Sequence, residues 1–397
     1  MARGGFTASP GEILVLIRSG RVRTRRDLQR LTGLSRSTVS LRLNQLTSSG
    51  YIRAVEQRLG ATGRPAELLS FEETDKLVLA ADLGATHARF ALTDAGGDLL
   101  AERTEELIIQ QPPALVLKIV IRRFRDLLRD VGRDRARLAG VGVGLPGPID
   151  FQTGSPVQPP IMPGWHGYPV ARKLSEAFGC PAFVDNDANL LGLGEARARY
   201  PDVDNLLFVK VGTGIGAGII LGGQPQRGAT GQGGDIGHIR ITRPVEGARC
   251  ACGATGCLAA HASGAALARR LSERGIDARS SRDVVRLVGE GNPEAIRLVQ
   301  DASRLLGEVL ATAVALLNPT IVVIGGDLAS TREHLLIGIR ERIHARVVPV
   351  LVSGLAVVES QLGDQAGVQG ARHMVIDQVF SAEAVDAKLA PEPMRDT

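Results

Sequence analysis

The chain has 397 residues, of which 44% are hydrophobic and 22% charged. That length allows two to four domains of ~100–200 residues and a sizeable core, and the composition excludes wholesale disorder, a collagen-like repeat and a disulfide-stapled miniprotein. The net charge of +5 is unevenly spread: residues 1–70 hold 12 arginines against 4 acidic residues, a net of +8, while the remainder nets −3. Such asymmetry points to a nucleic-acid-binding head on an ordinary globular body. The apolar run Ile13–Ile17 is short and flanked by Glu12 and Arg18, and Asn318-Pro319 interrupts the run from Val309 to Ile324. Neither a secretory signal nor a membrane span is therefore expected, and the expected location is cytoplasmic.

The first 72 residues read as one domain. Gly11–Ser19 has the apolar spacing of a short helix, and Thr24 suits the N-cap of a second over Arg25–Leu31. After Thr32-Gly33-Leu34, Ser35 can cap a third helix to about Ser48, with Val39, Leu43 and Leu46 on one face. Helix, glycine-containing turn, helix is the helix-turn-helix pattern, whose second helix meets base edges with its first turn. Ser35, Arg36, Ser37, Thr38 and Arg42 are the candidate DNA contacts there. Strands at Tyr51–Val55 and Ala66–Phe71 flank a tip carrying Arg58 and Arg64, the expected wing. A winged helix on double-stranded DNA is the prediction for this head, with Arg64 suited to a minor groove.

The body begins with a buried strand, Leu77–Ala81, that ends at Asp82-Leu83-Gly84-Ala85-Thr86 before the next strand, Ala88–Leu92. Such a turn lets backbone N–H groups and a hydroxyl face a phosphate. Leu115–Val131 is predicted as an amphipathic helix and Leu138–Leu145 as a strand. Asp185-Asn186-Asp187 follows the strand Pro181–Val184 and opens a helix through Ala198. In α/β folds ligands bind at the carboxyl ends of strands, so these residues suit a polyol; the alternative is that Asp185 or Asn186 simply caps the helix. The strand Asn205–Lys210 runs into Val211–Gly218, where Gly212, Thr213, Gly214 and Gly216 form a second candidate phosphate turn between strands. His238, Cys250, Cys252 and Cys257 fall within 20 residues and predict a closed, structural zinc site. A long helix, Pro293–Leu317, precedes the strand Thr320–Ile324 and Gly325-Gly326-Asp327.

On these elements the body resembles the ROK family of repressors, open reading frames and sugar kinases, over about residues 75–380. Asp82–Thr86, the Leu145–Asp150 turn, Asp185–Asn189, Val211–Gly218 and the His238 and cysteine element occur in family order. The resemblance implies a winged helix-turn-helix head plus an α/β, two-lobed, actin-like ATPase body. Its expected lobes are 75–186 with about 365–380, and 187–364 with the zinc site, followed by a flexible tail over 381–397. It implies sugar or effector contacts at Asn186, Asp187, Asp235 and His238. In a kinase-active member Asp187 would be the base, and ATP with Mg²⁺ would use Asp82, Gly84, Thr86, Gly212, Thr213, Gly214 and Gly216. Two departures stand out. Asp235 replaces the family kinases' Glu before Ile-Gly-His, and Ala259 replaces the Glu that follows the last zinc cysteine, with His261 where a Tyr is common. A site that loses a hydroxyl's partner loses much affinity for that hydroxyl. The expected function is therefore a DNA-binding regulator, a repressor of carbohydrate-related genes with a sugar or sugar-derived effector, acting on an operator as a homodimer or dimer of dimers. The alternative is an ATP-dependent sugar kinase carrying a DNA-binding head.

Overall fold

The computed structural model describes residues 8–57, 66–72, 75–241 and 248–390. In the head, Ser9 and Glu12 form a reciprocal capping box that starts α1 (Pro10–Arg18), and Thr24 with Asp27 does the same for α2 (Arg25–Thr32). Gly33 ends α2 at φ +72°, a left-handed conformation that glycine adopts without a Cβ penalty. Ser35 then caps α3 (Arg36–Ser48). Strands β1 (Ile52–Gln57) and β2 (Ala66–Phe71) pair antiparallel from Ile52↔Phe71 to Gln57↔Ala66. The helix-turn-helix and the stem of the wing are thus present; the expected tip contacts Arg58 and Arg64 lie outside the described residues.

The body contains two five-stranded sheets of one topology. The first comprises β3 (Leu77–Leu83), β4 (His87–Asp94), β5 (Leu99–Glu106), β6 (Leu138–Leu145) and β9 (Ala182–Asn186), in the order β5-β4-β3-β6-β9. A small hairpin of β7 (Ile149–Asp150) and β8 (Ser155–Pro156) projects after β6. The second sheet comprises β10 (Leu206–Val211), β11 (Ile215–Leu221), β12 (Gln224–Pro225), β13 (Ile321–Gly325) and β14 (Ala356–Glu359), in the order β12-β11-β10-β13-β14. In each, a meander of three antiparallel strands is extended by two parallel strands. Helices α4 (Pro113–Val131) and α5 (Val170–Phe178) bury their apolar faces on the first sheet. The second is covered by α7 (Leu258–Ala262), α8 (Gly264–Ser272), α9 (Ser281–Gly289), α10 (Pro293–Leu317), α11 (Glu333–Arg346) and α12 (Pro349–Val352).

Two helices lie between the sheets: α6 (Asp187–Arg199) on β10 and β11, and α13 (Ala366–Val379) on β3 and β6. They pack on each other through backbone, because Gly194 faces the carbonyl of Ala366 and Gly370 faces that of Leu190. The predicted flexible tail is corrected over its first part. Ala382–Leu389 forms α14, capped by Ser381, and packs against α1 of the head. Asp386 Oδ1 accepts from the Gly11 N–H at 2.8 Å, and Phe380 sits edge-on to both Phe71 and Tyr51. Head residues Ile13, Leu28 and Leu46 share one apolar cluster with Val375, Val379 and Val385. That burial outweighs the polar bias of the segment from which a tail is predicted.

Candidate functional site

A cleft of about 1100 Å³ runs between the two sheets. Its floor is made by the ends of β3, β9, β10 and β13, where the chain turns and backbone N–H groups leave the ladders. Of the residues singled out from sequence, Asp82, Gly84, Asn186, Asp187, Gly212, Thr213, Gly214, Gly216, Asp235 and His238 all line it. Thr86 does not join them. The β3–β4 turn closes with Gly84 N–H donating to the His87 carbonyl, which leaves Thr86 exposed and gives the lining to Ala85 and His87.

The helix-capping alternative holds for Asn186, the N-cap of α6, and not for Asp185. Asn186 Oδ1 accepts from the N–H of Ala188 at 2.9 Å and its Nδ2 donates to the Gly147 carbonyl at 2.9 Å. Asp185 is spent on Asn189 Nδ2 and on Arg227 Nε, at 3.0 and 2.7 Å. Asp187 is 5% exposed; Oδ1 accepts from the Ala188 N–H at 2.7 Å, and Oδ2 lies 2.5 Å from Lys210 Nζ. Burial works against the charge on Lys210, but the carboxylates of Asp187 and Asp82 hold its ammonium above the ordinary lysine value. Burial pushes the Asp82 carboxyl up to about 6 despite the pull of Lys210. Lys210 and Asp327, which also lines the cleft, escape sequence reasoning. The available signal is one lysine inside the otherwise apolar Leu206–Val211, since a lone charge in a buried strand needs a partner.

Magnesium with a nucleotide does not fit at Asp187 as it stands: both oxygens of that carboxylate are engaged, one of them by a cation, so the free carboxylate oxygen on this floor is Asp82 Oδ1, which has no hydrogen-bond partner among the described residues. Zinc fits its own site. His238 sits in a single 3₁₀ turn after Asp235, and Cys250 opens a tight turn closed by its own N–H to the Ala254 carbonyl. The donor atoms of His238, Cys250, Cys252 and Cys257 all lie within 4.8 Å of one another, a possible metal-binding group with the soft donor set zinc prefers. His238 Nδ1 faces Cys250 Sγ at 3.4 Å, and Nε2 faces Asp235 Oδ1 at 3.9 Å on the cleft side. His261 is buried, with its Nε2 unpartnered among the described residues, and is not part of the cleft lining.

On the head, Ser35 Oγ accepts from the Thr38 N–H at 3.1 Å and also meets the hydroxyls of Ser37 and Thr38. Arg42 is half-buried and donates to Gln45. Arg36 and Ser37 face outward, and Leu41 (58% exposed) and Asn44 extend the same exposed surface. Neither is singled out from sequence, where hydroxyls and arginines carry the signal for DNA contacts.

A model of the ROK family matches residues 78–378, and one for winged helix-turn-helix DNA-binding matches residues 12–53. The chain belongs to the ROK family. Over 385 residues it is 27% identical to a xylose repressor of Caldicellulosiruptor bescii, covering 93% of this chain and 95% of that one. A glucokinase of Halalkalibacterium halodurans is 30% identical over 325 residues, 78% of this chain and 98% of its own length. The crystal structure of a ROK family transcriptional regulator, a homologue of the E. coli MLC protein, superimposes with a TM-score of 0.80 at 27% identity, over 96% of this chain and 98% of that one. This ROK protein thus aligns with a repressor from head to body, and with a kinase through the body alone.

Proposed function

We propose that this ROK protein is a sugar-responsive, DNA-binding transcriptional repressor of carbohydrate-related genes, acting in the cytoplasm as a homodimer. The observation that carries the reading is the shared core of head and body: Arg18 of α1 pairs with Asp377 of α13 at 2.8 Å, and Asp377 also meets Arg197 at the end of α6. Helix α6 starts at Asp187 on the cleft floor and ends beside the head. A sugar or sugar-derived effector held near Asp187, Asp235 and His238 would bias the lobes through α6 and α13, and so bias the head. Coupling of this kind requires different effector affinity in the two head arrangements. Arg36 and Ser37 would read bases, and Arg58 and Arg64 of the wing would hold phosphates or the minor groove. Two heads in a dimer would suit half-sites ~34–36 Å apart. Structural zinc would fill the His238, Cys250, Cys252 and Cys257 group.

A kinase reading keeps two observations in its favour: Gly212, Thr213, Gly214 and Gly216 line the cleft beside Asp187, and a glucokinase is among the relatives. The lysine on Asp187 works against it. Operator selection from random duplex DNA with the full chain, at ~0.15 M salt because phosphate contacts are salt-dependent, should return a two-fold symmetric sequence. Enrichment of no sequence above background would sink the regulator reading.

A further inference from the structure

The two sheets share strand order and direction, so β3–β4 and β10–β11 are topological counterparts. Each leading strand carries a charged residue at its last position but one, two places before a glycine: Asp82-Leu83-Gly84 in one and Lys210-Val211-Gly212 in the other. Asp82 and Lys210 thus hold equivalent places in the two halves, with opposite charge, and line the same cleft. Lys210 Nζ reaches Asp187 Oδ2 at 2.5 Å, and the charges of Asp82 and Asp327 also act on it. Asp82 Oδ1 has no hydrogen-bond partner among the described residues, and Gly367 of α13 leaves no room for even a Cβ behind that carboxylate. Asp187 thus pairs with the ammonium directly, while Asp82 and Asp327 act on it by charge, Asp327 also accepting from Ser281 and lying 3.9 Å from Arg282.

We infer that Lys210 is a built-in counter-ion: it takes, among Asp82, Asp187 and Asp327, the place a divalent cation and its phosphate would need, so the cleft receives its ligand without metal or nucleotide. Three clustered carboxylates attract a hard cation. Here that charge is met from within, and a metal ion would have to approach a fixed positive charge of its own sign. A hydroxyl-rich, uncharged ligand meets no such barrier. This deepens the sensor reading of the same cleft and rests on it for the ligand's class.

The test uses the full chain, saturated with Zn²⁺ and desalted, then titrated with Mn²⁺ alone and with Mn²⁺ plus AMPPNP. Free Mn²⁺ is followed by electron paramagnetic resonance and stability by thermal melting. Wild type is expected to take up no Mn²⁺ and to keep its Tm with either addition. Lys210→Ala is expected to gain one saturable Mn²⁺ site, at least about tenfold tighter than any wild-type uptake. Lys210→Arg keeps the charge and should behave as wild type. Wild type binding Mn²⁺ with AMPPNP as tightly as Lys210→Ala overturns the inference, and so does a folded Lys210→Ala that gains nothing. Should Lys210→Ala not fold, Lys210→Met, which keeps the stem, takes its place in the same comparison. Operator binding by the same samples reads the regulator proposal separately: its loss leaves the Mn²⁺ result standing, and a Mn²⁺ result against Lys210 leaves the operator result standing.

Discussion

His238 joins two sites with one ring. Its Nδ1 faces the cysteine cluster and its Nε2 faces Asp235 across 3.9 Å, so a metal on Nδ1 would fix the proton on Nε2 and aim a donor at the cleft. Burial pushes the Cys257 thiol up to about 12, so its thiolate form calls for a cation. Elemental analysis should find about one zinc per chain in wild type and none in Cys257→Ser. Stripping the metal should cost several kcal/mol of stability, seen as a Tm that added Zn²⁺ restores. This cluster was legible in the sequence because its ligands and turn glycines are close neighbours along the chain. Lys210 was not, because strand alternation says which face a side chain takes and not which carboxylate waits there. Asp187, 23 positions away, becomes its partner only once β10 and α6 are packed.

At the scale of elements, the caps were largely legible: Thr24 and Ser35 start two head helices and Asn186 starts α6, while Ser9, which caps α1, is seen only in the structure. What local pattern could not supply is which helices touch. Helices α6 and α13 meet backbone to backbone, and a Cβ on Gly370 would lie 1.8 Å from the Leu190 carbonyl oxygen. Neither backbone can yield without parting the helices, so Gly370→Ala should cost more than about 3 kcal/mol. Gly289, in α9, has open space around the position of a Cβ and no left-handed φ. Gly289→Ala should be neutral or stabilising by up to about 1 kcal/mol. Chemical denaturation of the two variants beside wild type checks both, and equal stabilities would contradict the tight α6–α13 contact. The same contact makes the pair a rigid beam between the sheets, with Asp187 at one end and Arg197 at the other.

The whole molecule has a head that cannot be cut cleanly from its body. Arg18 donates to Asp377 and to the Phe380 carbonyl, and its guanidinium lies 5.9 and 6.0 Å from the rings of Phe71 and Phe380. Asp377→Ala would leave Arg18 and Arg197 without this shared carboxylate, a loss of about 1–3 kcal/mol at the junction. Calorimetry should show one transition in wild type and an added, earlier transition in Asp377→Ala as the head melts ahead of the body; a single transition in both would mean that the junction rests on its apolar contacts alone. The division into head and body was visible in the charge arithmetic, but their fusion was not, since it depends on residues at opposite ends of the chain. Gly11 bonds to Asp386, 375 positions later. At ~5–20 residues per second of synthesis, α1 waits roughly 20–75 s for α14 to be made. The DNA-reading head is thus translated before the body but is completed only after α14. A chain abandoned before α13 and α14 would leave the head's apolar side bare, so the fold itself would act as a check that a head without these helices does not reach the operator.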